Sequence, residues 1–193
     1  MSFYSEKELQ EIGLKSYGKN VLISRKSSIY NAKMITIKSN VRIDDYCILS
    51  AGENGFEIGN YVHIASYASL IGNGKITIKD FCGVSGRVSI YSSNDDYSGA
   101  FLTNPTVPQE FTNVFQGDVV LNKHVLIGAG SIILPNVILE EGVAIGAHSL
   151  VNRNCKSFHI YAGNPAKKIL PRSKNLLQLE NKLLQSIQEQ TKY

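Results

Sequence analysis

Two adjacent carboxylates are the residues of this sequence with the clearest capacity for chemistry. Asp95 and Asp96 lie in the segment YSSNDDYSG, and two like charges side by side raise the proton affinity of one of them. A carboxylate whose pKa is raised can accept a proton as a general base. Asn94 and Tyr97 flank the pair and offer an amide for hydrogen bonding and a ring for stacking. These four residues predict a ligand site in this segment.

A histidine is the second candidate for a proton acceptor. His63 precedes Ile64 in the motif YVHIAS, where apolar and polar residues alternate. Successive side chains of a β-strand leave opposite faces, so His63 is expected on the outer face of its strand. The imidazole titrates near neutral pH, which suits it to proton transfer. His63 and the aspartates are therefore alternative bases.

The elements that position these residues are set by an aliphatic ladder. Every sixth residue is Leu, Ile or Val in four runs, which are Ile37, Ile43 and Leu49; Ile58, Ile64 and Leu70; Ile78, Val84 and Ile90; and Leu121, Ile127, Ile133, Leu139, Ile145 and Val151. A second register lies two positions before the rungs and is small or β-branched almost throughout, which is the alternation of a strand. Each strand must be short, and glycines such as Gly59, Gly72 and Gly142 permit the bends. The period predicts an all-β solenoid filled by stacked rungs.

The ladder is interrupted once at length and is flanked by two different ends. Residues 91–118 contain the aspartate pair, two prolines and several aromatic residues, and they predict a protruding loop of the kind that is usually functional. In residues 1–34, Ser5 and Glu8 have the spacing of a capping box, which predicts an N-terminal helix and lead-in segment. In residues 173–193, a leucine stripe that includes Leu179 and Leu183 predicts a C-terminal α-helix.

Composition excludes several classes of protein. The chain has 193 residues, of which 43% are hydrophobic and 19% charged, and its formal net charge is +4. The charges are dispersed, so nucleic-acid binding is not expected, and the sequence predicts neither a signal peptide nor a membrane span. Three cysteines at unrelated spacings fit neither a disulfide framework nor a zinc motif. We expect a cytoplasmic protein without a metal site, in which Cys47, Cys82 and Cys155 are buried thiols.

The late repeats resemble a known family. The segment IGAGSIILPNVILEEGVAIGAHSLV, followed by IYAGNPAKKI, is similar to the hexapeptide-repeat acyltransferases, and in particular to their sugar O-acetyltransferase branch, which includes galactoside and maltose acetyltransferases and enzymes that modify surface polysaccharides. The resemblance covers roughly residues 35 to 172, where it implies a left-handed parallel β-helix. It also implies a homotrimer that binds acetyl-coenzyme A between subunits.

The resemblance assigns cofactor-binding residues by motif. Ala129 in IGAGS and Ala147 in IGAHS match positions where the family needs a small residue beside the pantetheine arm. Asn152, Arg153 and Lys167 match positions that meet the nucleotide end of the cofactor. The adenosine 3′-phosphate and the pyrophosphate need cations, which the basic residues of this tail could supply.

The sequence departs from the family at the catalytic position. A histidine that serves the sugar branch as general base would align at or next to Asp95, and no histidine lies between Ala65 and Lys123. Three alternatives follow. Asp95 acts as base with Asp96 as its partner, or His63 takes the role, or the acceptor is an amine that binds unprotonated, so that little base catalysis is needed and the aspartates bind and orient sugar hydroxyls. Glu53 lies near the position of an acceptor-binding carboxylate in relatives.

These observations lead to one main prediction of function and to alternatives. The main prediction is transfer of an acetyl group from acetyl-coenzyme A to a hydroxyl of a sugar or sugar precursor, in the biosynthesis of a surface polysaccharide. The alternative within enzymes is N-acetylation of a nucleotide-linked amino sugar. Outside enzymes, the same β-helix could be a trimeric structural scaffold. A zinc carbonic anhydrase is not favoured, because the four histidines lack a closely spaced pair.

Overall fold

The chain winds into a three-sided β-solenoid. The computed structural model describes residues 2–190 and contains about seven turns. The strands, in chain order, are β1 (Ser16–Tyr17), β2 (Val21–Ile23), β3 (Ser28–Tyr30), β4 (Ile35–Ile37), β5 (Val41–Ile43), β6 (Ile48–Ala51), β7 (Phe56–Ile58), β8 (His63–Ile64), β9 (Ser69–Gly72), β10 (Ile76–Ile78), β11 (Gly83–Val84), β12 (Ser89–Tyr91), β13 (Ser93–Asn94), β14 (Phe115–Gln116), β15 (Val119–Leu121), β16 (Leu126–Ile127), β17 (Ile132–Ile133), β18 (Val137–Leu139), β19 (Ala144–Ile145), β20 (Leu150–Val151), β21 (His159–Ala162) and β22 (Lys167–Pro171). The helices within residues 2–190 are α1 (Glu6–Ile12) and α2 (Asn175–Gln190), with short 3-10 turns at Ala32–Met34 and Gln109–Phe111.

Each turn contributes one strand to each of three faces. The first face is the sheet β1-β4-β7-β10-β15-β18, the second is β2-β5-β8-β11-β16-β19-β21-β22, and the third is β3-β6-β9-β12-β17-β20. Pairing between coils is parallel, except that β22 folds back antiparallel on β21. The predicted left-handed parallel β-helix with a protruding loop and a C-terminal helix is confirmed.

The aliphatic ladder forms the interior. On the second face, Ile43, Ile64, Val84 and Ile127 stack from coil to coil, and none is more than 1% exposed. Burial of each such side chain is worth roughly 1.5–3 kcal/mol relative to leaving it in water. The stacked rungs therefore supply the driving force that a single short strand lacks.

The three cysteines belong to the same interior. Cys47, Cys82 and Cys155 are free and buried. Burial raises the pKa of Cys47 and Cys155 to about 11 and that of Cys82 to about 12. A thiol that stays protonated at neutral pH is a poor nucleophile, so the prediction of buried structural thiols is confirmed.

The N-terminal segment contains more of the solenoid than we predicted. Ser5 and Glu8 form the expected capping box of α1. Strands β1, β2 and β3 then pair with β4, β5 and β6, so the first coil begins at Ser16, ahead of residue 35. This coil is hidden in the sequence because Tyr17 takes the place of an aliphatic rung and remains partly exposed. Leu9 of α1 is buried against the open end of the core.

The protruding segment at residues 91–118 is held together at its base. It leaves the third face after β12 and returns to the first face at β15, and the short antiparallel pair β13-β14 joins its two ends. Gly74 lies between these ends, where an added Cβ would come within 2.7 Å of the Ser92 carbonyl and 2.8 Å of the Gly117 carbonyl. The base of the loop is therefore tightly packed, whereas Tyr97, Phe101 and Phe115 farther out are exposed.

The carboxylate of Glu180 anchors the C-terminal helix to the solenoid. Helix α2 lies within the predicted 173–193, of which residues 191–193 fall outside the described residues. Glu180 accepts hydrogen bonds from Lys123 Nζ (2.5 Å) and His124 Nε2 (2.7 Å). Burial disfavours ionisation of Glu180, but these two bonds outweigh it and hold the pKa of the carboxyl below its usual value. The leucine stripe of α2 remains partly exposed, as at Leu179 and Leu183.

Replacing this carboxylate tests the anchoring of the helix. We expect Glu180→Gln to lower the free energy of unfolding at pH 7 by about 1–2 kcal/mol, the cost of weakening hydrogen bonds to a charged group. Because folding lowers the pKa of Glu180, its contribution is complete above the unfolded-state pKa and is lost as the pH falls through the folded-state pKa. Denaturant unfolding at pH 7 and at pH values below about 4.3 measures this difference. A constant difference between the two proteins across that range would contradict the prediction.

Candidate functional site

A continuous groove follows the corner between the second and third faces. It consists of three adjoining depressions: an early-coil end lined by residues that include His63, Gly83, Ser85 and Leu126; a middle part of about 320 Å³ that includes Tyr67, Gly86, Arg87 and Ala129; and a late-coil end that includes His148, Leu150 and Asn164. The early-coil end and the middle share Gly86, and the middle and the late-coil end share Gly130 and His148. We call this feature the corner groove.

The floor of the corner groove is kept open by small residues. Ala129 lines the middle part and is exposed, and Ala147 is exposed one coil later, next to His148. An added Cβ at Gly128 would come within 2.5 Å of the Ala147 backbone nitrogen, so the two coils approach closely here. An added Cβ at Gly130 would lie 2.7 Å from the His148 ring. The groove can therefore hold a narrow, extended chain.

The late coils contain the residues predicted to meet the nucleotide end of the cofactor. Asn152, Arg153 and Lys167 are all exposed, as binding of a phosphorylated group requires. Arg172 has a different role from the one its place in the basic tail suggests, because its guanidinium donates to the carbonyls of His124, Gly142 and Val143. Burial lowers the pKa of Arg172. The role of this side chain is therefore structural, because it bonds backbone carbonyls at the corner.

A hydrogen-bonded cluster borders the early-coil end of the groove. His63 Nε2 lies 2.9 Å from Asp44 Oδ2, and Arg42 Nε donates to Asp44 Oδ1 at 2.7 Å. Burial disfavours ionisation of Asp44, but hydrogen bonds from Arg42 and His63 hold its pKa below the usual value. The predicted outer-face position of His63 is confirmed, since its side chain is 52% exposed.

The aspartate pair lies on the protruding segment, and both carboxylates accept hydrogen bonds from residues of that segment. Asp96 accepts hydrogen bonds from the Ser98 hydroxyl and from the backbone N–H groups of Ser98 and Gly99. Asp95 accepts from the Asn104 N–H at 3.3 Å. Both carboxylates are partly exposed and so remain accessible to a ligand.

The remaining predicted acceptor-binding residues lie near the same segment. The Asn94 side-chain amide donates to the Asp95 carbonyl, which shapes the loop, and Tyr97 is 91% exposed. Glu53 is exposed in the turn between β6 and β7, at the corner between the third and first faces from which the protruding segment departs. In one protomer these residues and the corner groove therefore lie at opposite edges of the third face.

Sequence reasoning missed three residues at the groove. Asp44, Ser85 and Arg87 were not singled out, although Asp44 contacts His63 and the other two line the groove. Asp44 and His63 are 19 residues apart, and they meet only because their coils are adjacent. Arg87 has the φ of the left-handed region (58°) and places its guanidinium 5.5 Å from the centre of the Tyr67 ring. Outer-face positions compared from coil to coil could have suggested the contact of Asp44 with His63.

Comparison with known proteins agrees with this architecture. The family model described as bacterial transferase hexapeptide (six repeats) matches residues 118–153. The chain is 55% identical to dTDP-4-amino-4,6-dideoxy-D-glucose acyltransferase of Escherichia coli over 181 residues, which is 94% of each chain. It therefore belongs to the hexapeptide-repeat acyltransferase family, and it is an acyltransferase that uses acetyl-coenzyme A as co-substrate.

Solved structures extend the comparison. The N-acyltransferase AntD from Bacillus cereus, in complex with dTDP and 3-hydroxybutyryl-CoA, is 49% identical, with a TM-score of 0.93 and coverage of 97% of this chain and 98% of that chain. A maltose O-acetyltransferase from Clostridium difficile 630 has 21% identity and a TM-score of 0.57 over 87% of this chain and 75% of that chain, which shows the shared fold. In residues 2–190 no helix is long and apolar enough to cross a membrane.

Proposed function

We propose that this enzyme transfers an acyl group from acetyl-coenzyme A to the amino group of a dTDP-linked 4-amino-4,6-dideoxy sugar. The observation that carries this proposal is the 55% identity, over 94% of both chains, to an acyltransferase named for that acceptor. The similarity to AntD, an N-acyltransferase whose structure contains dTDP, supports it. The comparisons thus favour our alternative, N-acetylation of a nucleotide-linked amino sugar, over the main prediction of a hydroxyl acceptor.

The corner groove suits the pantetheine arm of coenzyme A. Its late-coil end is lined by Asn164, three residues before the exposed Lys167, whose charge complements the nucleotide phosphates. Four strand spacings separate the coil of Asn164 from that of His63, which is about 19 Å and comparable with an extended pantetheine arm. This orientation puts the thioester at the early-coil end, near His63 and Ser85.

We also propose that the enzyme is a homotrimer whose site lies between subunits. Tyr30, Ile48 and Ile132 are exposed on the outer side of the third face, and Phe101 and Phe115 are exposed on the protruding segment. A surface of this kind is expected to be covered by another protein chain. Because the protruding segment and the corner groove lie at opposite edges of the third face, a neighbouring copy would bring the two together. Such a trimer makes the aspartates of one subunit available to the groove of the next.

The proposed reaction is a direct attack on the thioester. The amine nitrogen bonds to the carbonyl carbon, the C–S bond breaks, and coenzyme A leaves as a thiol after the nitrogen has lost a proton. Backbone N–H groups along the coil stabilise the developing oxyanion. Asp95 and Asp96 bind and orient the amino sugar, which is the role that the third alternative gives to the aspartates. We place the reaction in the cytoplasm, where its product would serve surface polysaccharide biosynthesis.

A comparison of acceptors tests the proposed function. We expect release of coenzyme A with dTDP-4-amino-4,6-dideoxyglucose, and a kcat/KM at least about 10³-fold lower with dTDP-glucose, because an amine is the better nucleophile and the site is built to bind it. Maltose, which lacks the nucleotide, serves as a second control. Thiol release and mass spectrometry of the product measure the outcome. Equal or greater activity on a sugar hydroxyl would contradict the proposal and restore O-acetylation.

A further inference from the structure

The early-coil end of the corner groove contains a charged cluster that the proposed reaction does not yet use. The Asp44 carboxylate is buried, with its side chain 9% exposed, and it is the common acceptor of Arg42 and His63. An ionised carboxylate can only accept hydrogen bonds, so Nε2 of His63 is the donor to Asp44. In a neutral imidazole the other nitrogen, Nδ1, then carries a lone pair. Within residues 2–190, Nδ1 of His63 has no hydrogen-bond partner.

The groove is open beside this ring because the next coil lacks a side chain there. Gly83 pairs with His63 on the second face, and Leu126 follows one coil later. An added Cβ at Gly83 would lie 3.1 Å from Leu126 Cδ1, so glycine leaves a notch between the imidazole and the leucine. Ser85 lines the same notch. A group that enters the notch therefore meets the imidazole directly.

From this geometry we infer that His63, held in one tautomer by Asp44, accepts the proton that the amine nitrogen loses during acyl transfer. This inference rests on the proposed function, because the orientation proposed for coenzyme A puts the thioester beside His63. As the C–N bond forms, the proton passes from nitrogen to Nδ1, and the imidazolium then gives it to the departing sulfur. The products are the amide and the coenzyme A thiol, and the imidazole returns to its neutral form. His63 is the catalytic residue of this step, and Asp44 is a positioning residue.

The charged groups that face the His63 ring all come from one side. Strand β5 brings Arg42 opposite His63 and Asp44 beside it, so one positive and one negative charge face the ring from that side. On the other side, β11 contributes Gly83, and the notch adds Ser85 and Leu126, none of which is charged. The Asp44 carboxylate is thus the group that orients the imidazole.

The pH dependence of kcat tests the inference. We expect His63→Gln to lower kcat at pH 7 by about 10²–10⁴-fold and to abolish the acidic limb of the profile that belongs to the imidazole. Because His63 is half exposed, this variant should fold and should bind coenzyme A within about threefold of the unchanged protein by calorimetry, as expected for a residue that acts in the chemical step. His159→Gln is the matched control, since His159 bonds the Ser157 carbonyl in another coil, and its profile should be unchanged.

A second variant tests the positioning role of Asp44. Asp44→Asn should reduce kcat and shift the acidic limb, and nitrogen NMR of the imidazole should show that His63 no longer adopts a single tautomer. If this variant fails to fold, the NMR tautomer of the unchanged protein and the His63→Gln profile still decide. Wild-type kcat and an unaltered profile in His63→Gln, or a proton on Nδ1 in the neutral state, would overturn the inference. Failure of the unchanged enzyme to acylate the amino sugar would instead refute the proposed function.

Discussion

Replacing Ala129 by phenylalanine is expected to weaken binding of coenzyme A by about 100-fold or more. The side chain of Ala129 lies on the floor of the corner groove, directly below the proposed path of the pantetheine arm. A ring at this position would occupy the space of the arm, and the lost contacts need amount to only about 3 kcal/mol to produce this change. Titration calorimetry with coenzyme A measures the dissociation constant.

Two further variants separate blockage of the groove from damage to the fold. Ala129→Gly keeps the floor small and should bind coenzyme A within a few-fold of the unchanged protein. Lys33→Phe adds a ring at an exposed site in the 3-10 turn between the third and first faces, away from the groove, and should leave binding unaltered. Full binding by a folded Ala129→Phe protein would show that the cofactor lies elsewhere.

Leu139→Ala is expected to lower the free energy of unfolding by about 3–5 kcal/mol. Leu139 has no exposed surface and packs between Leu121 of the preceding coil and Cys155 of the following one. Stacked coils cannot collapse sideways to fill the space, so truncation leaves a cavity as well as losing buried area. The change corresponds to a decrease in Tm of roughly 10 °C, which calorimetry or circular dichroism can follow.

The neighbouring residue provides the matched comparison for this truncation. Ile138 precedes Leu139 in β18 but faces outward and is 41% exposed. Ile138→Ala should therefore cost no more than about 1 kcal/mol. Similar losses for the two variants would argue that the ladder is not the main source of stability.

The residues at the bends of the solenoid were only partly predictable from the local sequence. We expected glycine to permit the bends, and Gly72 and Gly142 do adopt positive φ angles, whereas Gly59 does not. Several equivalent corners are instead occupied by larger residues, including Tyr61, Phe81 and His124, whose φ angles lie between 55° and 62°. Their rings stack from coil to coil, with centroids 4.9 Å and 5.2 Å apart. This stacking depends on neighbouring coils and offsets a backbone conformation that is unfavourable for each residue alone.

The sequence by itself determined the solenoid, the protruding segment and the inert cysteines. A coil that encloses a narrow interior needs an aliphatic side chain at each rung, so the rungs from Ile37 to Val151 recur with a fixed period in the sequence. The interruption of that period likewise located the segment at residues 91–118. Ser5 and Glu8 could be recognised as a cap because both partners lie within one helical turn.

Only the tertiary structure decided which groups meet at the groove. The contact of Asp44 with His63, the notch at Gly83 and the use of Arg172 for backbone carbonyls all join different coils. Coil lengths vary, so the chain separation of two residues does not reveal whether they are neighbours. The inward positions are constrained by burial and can be read locally, whereas the outward positions take their function from pairing between coils.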